Sequence, residues 1–372
     1  MLPPFRSYVV VSRDQIARNY RAVRKVVGSN VEVAGVVKAD AYGHGAMEIS
    51  RILIAEGAKW LAVSSVEEGV ALRGGGIAAP RILVMGGFLP YECEALPEYD
   101  LTPVAHSLDQ VSQLGRIGQT IRYHLKLDTG MSRLGTRATA AEIAAVVNAN
   151  PQAKLEGLMT HFASAADYTT PQTNEQIAIF DRLCEQLADA GLCPQQLHTS
   201  STNAIGYGRT DAWHSMVRAG HALYGYVSPP RGDAPAQLLN VQPALSWKAK
   251  LIAVKDIPAG ALVGYGGSFR APSAMRIGVL GAGYADGIFH RMSNRGRVIA
   301  DGKLTAILGT VSMDLTTIDL SHTSALGPGD EVTLLGVEGD VKLDAQDIAR
   351  ISGTISYNIL CGINGRVKRL YV

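Results

Sequence analysis

The chain has 372 residues, 47% hydrophobic and 18% charged, a globular balance with room for two domains. A net charge of +2 with no basic block gives no reason to expect nucleic acid or a membrane surface as a partner, and no apolar run reaches the ~18 residues of a membrane span. The start, Met1-Leu2-Pro3-Pro4-Phe5-Arg6, lacks the basic end and apolar core of a signal peptide. Cys93, Cys184, Cys193 and Cys361 lack metal-ligand spacing, so reduced thiols and a cytoplasmic location are expected.

Residues 5–11 read as a strand, and Ser12 with Gln15 three residues later marks a helix start. A buried strand follows in Val31-Glu32-Val33-Ala34-Gly35, running on to Lys38. Further strand-like runs fall near 59–64, 81–86, 101–106, 121–128, 155–162, 196–200 and 215–225, with helix-like runs between most of them. Ser65-Val66-Glu67-Glu68 and Ser107-Leu108-Asp109-Gln110 are capping-box starts. Thr173 to Leu192 is a long amphipathic helix whose apolar stripe is expected to be Ile177, Ile179, Phe180, Leu183 and Leu187. Eight strand–helix units over about 220 residues predict an α/β fold, a (β/α)8 TIM-type barrel, with a doubly wound open sheet as the alternative. Near residue 235 the helical period fades into short β-type runs and Gly-rich turns, with one short helix over 344–351. The expected division is therefore a barrel over 11–235 and a mostly-β domain over 236–372.

A barrel collects its chemistry at the C-terminal ends of its strands. Lys38, Lys126 to Arg133, His161, Ser201-Thr202 and Arg218 to Tyr224 all fall there or just beyond. A lysine at a strand end either snorkels to water or does chemistry. Tyr42, Gly43, His44 and Gly45 then place a hydroxyl, an imidazole and two small residues next to a helix start near Ala46, a setting that suits an anion. Arg133 is a bidentate match for a carboxylate, or else a solvated loop charge.

Val36-Val37-Lys38-Ala39-Asp40-Ala41-Tyr42-Gly43-His44-Gly45 closely resembles the lysine motif of alanine racemases, and five further motifs follow in that family's order. Lys126-Leu127-Asp128-Thr129-Gly130-Met131-Ser132-Arg133-Leu134-Gly135 resembles the second. The others are Met216-Val217-Arg218-Ala219-Gly220, the Tyr265 loop Val263-Gly264-Tyr265-Gly266-Gly267, Gly283-Tyr284-Ala285-Asp286-Gly287 with Val311-Ser312-Met313-Asp314, and the segment around Tyr357. The resemblance implies pyridoxal 5'-phosphate as cofactor, carried by Lys38 as a Schiff base. Tyr42, Thr202, Gly220, His221 and Tyr357 would bind its phosphate, His161 would face its ring and Arg218 its ring nitrogen. Arg133 would take the substrate carboxylate, Tyr284 and Met313 would line the substrate pocket, and Lys126 would be carbamylated to hold Arg133. Tyr265 would be the second base, reaching the active site of the neighbouring subunit. The first ten residues would add a strand to the β domain.

The sequence departs from the family pattern in places. Ser201-Thr202 stands where Asn-Ser is usual, His221 where isoleucine is common, and Lys368 where proline is usual. An arginine at the ring nitrogen stays charged and cannot take up that proton, so the two bases matter more. The reading is a homodimeric racemase interconverting L- and D-alanine for peptidoglycan, with no metal. A racemase preferring serine or another amino acid is the alternative. A non-catalytic cofactor-binding protein lacks a reason for residues 236–372. A metal-dependent hydrolase built on His44, His161 and His198 has no ligand spacing behind it.

Overall fold

The structure, a computed structural model, describes residues 5–323 and 325–372, so Met1 to Pro4 of the N-terminal reading lie outside the described residues. Two units separate: Ile16–Ala41 with Ala46–Gln242, and residues 5–15 with Tyr42–Gly45 and Pro243–Val372. Strand β1, Ser7–Val11, lies in the second.

The first unit is built on eight parallel strands: β2 Glu32–Val36, β3 Trp60–Val63, β4 Arg81–Val84, β5 Leu101–Ala105, β6 Ile121–Lys126, β7 Ala153–Met159, β8 Gln196–His198 and β9 Met216–Ala219. Each pairs with the strand before it from β3 to β8, and β9 pairs with β2, Glu32 opposite Met216 and Gly35 opposite Ala219. Between β8 and β9 the ring is joined by the bridge Ser201 to Arg218 and by the hydrogen bonds Ser215 N to Leu197 O and Arg218 N to Ser200 O, at 3.2 and 3.0 Å. A sheet curled on itself with helices outside buries both faces, so β3, β5 and β9 are buried at every residue. That is why these strands show no alternation of apolar and polar residues: β3 is wholly apolar, and Thr102 in β5 and Arg218 in β9 are buried with their neighbours. The expected barrel is present, and the open sheet is not.

The local signals held where a cap or turn was encoded. Ser65 and Ser107 accept from the N–H groups of Glu68 and Gln110 and start helices Val66–Gly74 and Leu108–Gly115. The expected strand over 215–225 ends at Ala219, and a 3-10 turn, His221–Tyr224, follows. Its residues are all buried, so an apolar run alone does not separate the two. Helix Gln172–Asp189 buries Thr173, Gln176, Ile177, Phe180 and Leu187. Ile179, placed in the stripe by sequence, is 44% exposed, and the polar Gln176 takes the inward position for a reason given below.

The second unit is a nine-stranded sheet. Its long strand β10, Leu245–Ile257, pairs antiparallel with β1, with Met275–Leu280 and with Glu331–Glu338. The other edge of β1 takes Lys368–Tyr371 in parallel. Asp344 caps Ala345–Ser352, and Gly353 ends it at φ 66°. A second helix, Ser356–Gly362, was not read from the sequence and carries Tyr357. Among the described residues no helix is long and apolar enough to cross a membrane.

Candidate active site

Strand β2 delivers Lys38 two residues past its end, with the preceding carbonyl of Val36 held by the Tyr224 hydroxyl at 2.8 Å. The chain then makes an unusual turn. Ala39, Asp40, Ala41 and Tyr42 all have φ between 51° and 54°, a left-handed helical turn with no glycine in it. Each such residue costs roughly 1–2 kcal/mol, so the surroundings must enforce the shape. The Glu68 carboxylate does so by accepting from the N–H groups of Ala39 and Ser64, both at 2.6 Å. Asp40 accepts from Ala46 N at 2.7 Å and so caps the helix Ala46–Ala55. Glu68, read from sequence as half of a capping box, thus acts on the lysine turn.

In the β unit, segment Tyr42–Gly45 is clasped by the C-terminal residues. Arg369 Nε donates to Gly43 O at 3.1 Å, the Tyr371 hydroxyl to His44 O at 3.0 Å, and the rings of Tyr42 and Tyr357 lie 5.9 Å apart. Gly43 has φ 78°, and a Cβ there would collide with the Leu360 carbonyl.

At the barrel mouth the cations gather. Lys126 ends β6 and is buried, and it makes no hydrogen bond or ion pair among the described residues. Burial first, then Arg133, Arg218 and Lys38, push its pKa from 10.5 to about 8 against the opposing field of Asp128. Arg133 is exposed on the loop beyond and likewise has no hydrogen bond or ion pair among the described residues. Asp128 is spent on shaping that loop: it accepts from the N–H groups of Gly130, Met131 and Ser132 at 3.2, 3.1 and 2.9 Å and from Arg137 at 2.8 Å. His161, two residues past β7, has its pKa pushed well down by burial and then by Arg218, Lys126, Arg133 and Lys38, so it stays neutral. Four cations thus bear on one place, a strong demand for an anion.

Arg218 is buried in β9, and burial pulls its pKa down to about 9, which leaves it charged at neutral pH. Its Nη1 donates to His198 O and Nδ1 at 2.7 and 2.9 Å. Its Nη2 serves Thr160 O, Thr199 O and His161 Nδ1 at 2.8, 2.9 and 3.2 Å. A guanidinium has five N–H groups. Four are therefore engaged, and the Nε–H is left without an acceptor among the described residues. Beside it, Gly220 N and Ala222 N both donate to Thr202 Oγ1, at 3.2 and 3.1 Å, so a hydroxyl and two backbone N–H groups converge. His221 is buried and its ring stacks on Tyr226, leaving its role to the backbone.

Gln176 explains the altered helix stripe. Its amide oxygen accepts from Ala163 N at 2.9 Å, and its nitrogen donates to Thr129 Oγ1 and His161 O at 3.2 and 3.1 Å. It ties the Arg133 loop to the His161 strand end. The signal in the sequence was one polar residue interrupting the buried positions around Ile177 and Phe180. As for a metal site, His198 gives its Nδ1 lone pair to Arg218 and faces His124 with Nε2, so it has nothing left for a cation.

Three further residues lie in the β unit, all exposed: Tyr265 at 77%, Met313 at 53% and Tyr284 at 45%. Tyr265 sits between Gly264 and Gly266, both at positive φ, and its carbonyl accepts from Thr310 Oγ1 at 3.1 Å. Tyr284 N and Ala285 N donate to the carbonyls of Ser312 and Met313 at 2.9 and 3.0 Å. Arg366 bridges the buried Asp286 and the exposed Asp314, at 2.8 and 2.7 Å, and pins the two loops together.

Residues 11–229 match the family model described as the alanine racemase N-terminal domain, and 244–371 the one for its C-terminal domain. An alanine racemase of Carboxydothermus hydrogenoformans is 39% identical over 97% of this chain and 98% of its own length. One from Synechocystis is 37% identical over 99% of both. Among solved structures, the alanine racemase of Streptomyces lavendulae superposes with a TM-score of 0.92 at 31% identity, covering 100% of this chain and 98% of the other. That of Bartonella henselae, described with covalently bound pyridoxal phosphate, gives 0.88 at 26% identity over 99% and 100%. With both domains matched in order along nearly its whole length, the chain belongs to the alanine racemase family of isomerases.

Proposed function

We propose that this chain racemises alanine with pyridoxal 5'-phosphate held at the barrel mouth, as a homodimer whose subunits complete each other's sites. The observation that carries this reading is the pocket of Lys38, Lys126, Arg133 and Arg218. It gathers four cationic groups, with Lys126 buried and without a hydrogen-bond or ion-pair partner among the described residues, and the Arg218 Nε–H has no acceptor among them. The donor set fits the cofactor on both counts: its phosphate and the substrate carboxylate supply the missing negative charge, and its ring nitrogen is a one-lone-pair acceptor. Bound there, the cofactor supplies an electron sink that acidifies the Cα–H of the amino acid it carries.

The chain's own residues do the rest. Lys38 holds the cofactor and exchanges the α-proton on the D face. Tyr265 of the partner subunit exchanges it on the L face, so each turn removes a proton from one side and delivers one to the other. Arg218 would keep its proton and offer its Nε–H to the ring nitrogen, and His161 would lie against the ring. Tyr42, Thr202, the backbone at Gly220 and His221, and Tyr357 hold the phosphate. Arg133 fixes the substrate carboxylate, and Tyr284 and Met313 of the partner subunit narrow the pocket to a small side chain. Lys126 would react as a neutral amine with carbon dioxide, its nitrogen bonding to the carbon and one proton passing to solvent, and the carbamate would hold Arg133. The high exposure of Tyr265, Tyr284 and Met313 supports the shared-site reading, because apolar and aromatic residues on ordered loops mark association surfaces. A cytoplasmic enzyme supplying D-alanine to peptidoglycan fits the activity.

The test is direct. Purified protein should be yellow, should bleach with borohydride and should then carry pyridoxyl on Lys38. A colourless protein that takes up no added cofactor would end the reading. Tyr265→Phe should lose at least about 100-fold in kcat in both directions, and mixing it with a Lys38→Ala chain should restore up to a quarter of the sites. Wild-type rates from Tyr265→Phe would sink the two-base assignment. Parallel kcat/KM values for alanine and serine decide between the alternatives.

A further inference from the structure

Behind Arg218 a chain of polar groups runs through the barrel wall. Arg218 Nη1 lies 2.9 Å from His198 Nδ1, and His198 Nε2 lies 2.7 Å from His124 Nδ1. His124 Nε2 makes no hydrogen bond within the described residues, and the Glu156 carboxylate faces it with Oε2 at 3.5 Å. Glu156 is clamped at the far end by both terminal nitrogens of Arg81, at 2.9 and 2.7 Å, and Arg81 in turn stacks 4.5 Å above the Trp60 ring and donates to Thr102. His124 and His198 are fully buried, and the ring of His124 occupies space left by Gly157, where a Cβ would stand 2.7 Å from Nδ1.

The chain has one consistent proton order. A guanidinium can only donate, so His198 Nδ1 must accept, and its proton is on Nε2. That N–H donates to His124 Nδ1, so His124 also carries its proton on Nε2. Its N–H then faces a carboxylate, which can only accept. A donor-only group at one end and an acceptor-only group at the other fix both tautomers, and reversing either imidazole sets two donors or two acceptors against each other.

We infer that Glu156 is a positioning residue for Arg218, acting through His124 and His198 to fix the guanidinium so that its Nε–H stays committed to the cofactor ring nitrogen. This rests on the cofactor reading above. The two neutral imidazoles also place no acid behind Arg218, so the proton order is held without a free proton in the barrel wall. Burial pushes both histidines down, which agrees with that arrangement.

The experiment uses the protein labelled with 15N-histidine and 15N-arginine, first without cofactor. Wild type is expected to show His124 and His198 as Nε2–H tautomers across neutral pH. Glu156→Gln replaces the acceptor-only end with a group that can donate or accept. It should bring in Nδ1–H signal at His124 and move the His198 and Arg218 Nε resonances. In the holoenzyme it should lower kcat on the order of 10-fold with KM within about 2-fold. Either histidine found as Nδ1–H in wild type would overturn the inference, and that measurement needs no variant to fold. Resonance changes in Glu156→Gln confined to His124, with Arg218 unmoved and kcat unchanged, would also overturn it. A protein with the expected tautomers that takes up no pyridoxal phosphate would refute the positioning role through the cofactor reading, a separable failure.

Discussion

Lys126 offers the sharpest energetic test. It is 4% exposed and lacks a hydrogen-bonded or ion-paired partner among the described residues, so its charge is paid for by the rest of the fold. A fall in pKa from 10.5 to about 8 corresponds to ~3 kcal/mol against the charged form, an upper figure because water and relaxation screen part of it. The sign follows from proton counts. The folded protein gives up this proton more readily than the unfolded chain. The penalty is therefore full below about pH 8 and fades as pH rises toward 10.5. Lys126→Met keeps the stem and removes the charge. In urea unfolding of the cofactor-free protein in carbon-dioxide-free buffer, the methionine variant should be ~1–3 kcal/mol more stable at pH 7, with the gap closing by about pH 10. Bicarbonate should stabilise only the wild type, most strongly where the amine is neutral. A methionine variant no more stable at pH 7, or a gap independent of pH, would refute the claim that this lysine is a buried, uncompensated cation. The variant should also lose activity, because Arg133 loses its proposed partner.

Other consequences can be checked separately. Glu68→Ala removes both 2.6 Å bonds that hold the left-handed turn, so it should cost ~2–4 kcal/mol and loosen cofactor retention at Lys38; unchanged retention would show that the turn holds itself. Gln176→Leu leaves the Ala163 N–H and the His161 carbonyl without that partner. It should cost ~1–3 kcal/mol and raise KM more than it lowers kcat, seen by steady-state kinetics. Gly283→Ala presses a methyl group onto the carbonyls of Ser312 and Met313. It should cost about 1–3 kcal/mol locally and abolish racemisation while leaving the cofactor spectrum intact; full activity would contradict the tight pairing of these loops.

What the sequence determined by itself was the repeat and the approximate places of its strands, whose C-terminal ends it carried one to six residues too far. Runs of Val, Leu, Ile and Ala buried on both faces are legible because a wrapped parallel sheet allows almost nothing else, and the chemistry then falls at one end of each strand. Capping serines at 65 and 107 were legible because a cap is a local hydrogen bond. The tertiary structure decided what depends on partners far away in the chain. The left-handed turn after Lys38 has no glycine to announce it, since it is enforced by Glu68 from the next strand–helix unit. Gln176 faces inward against its helix pattern because its amide meets Thr129 and His161 from two other loops. Arg218 could be named from its motif. That four of its five N–H groups are spent, and that a carboxylate stands behind it across two imidazoles, is set only by the order of strands around the barrel.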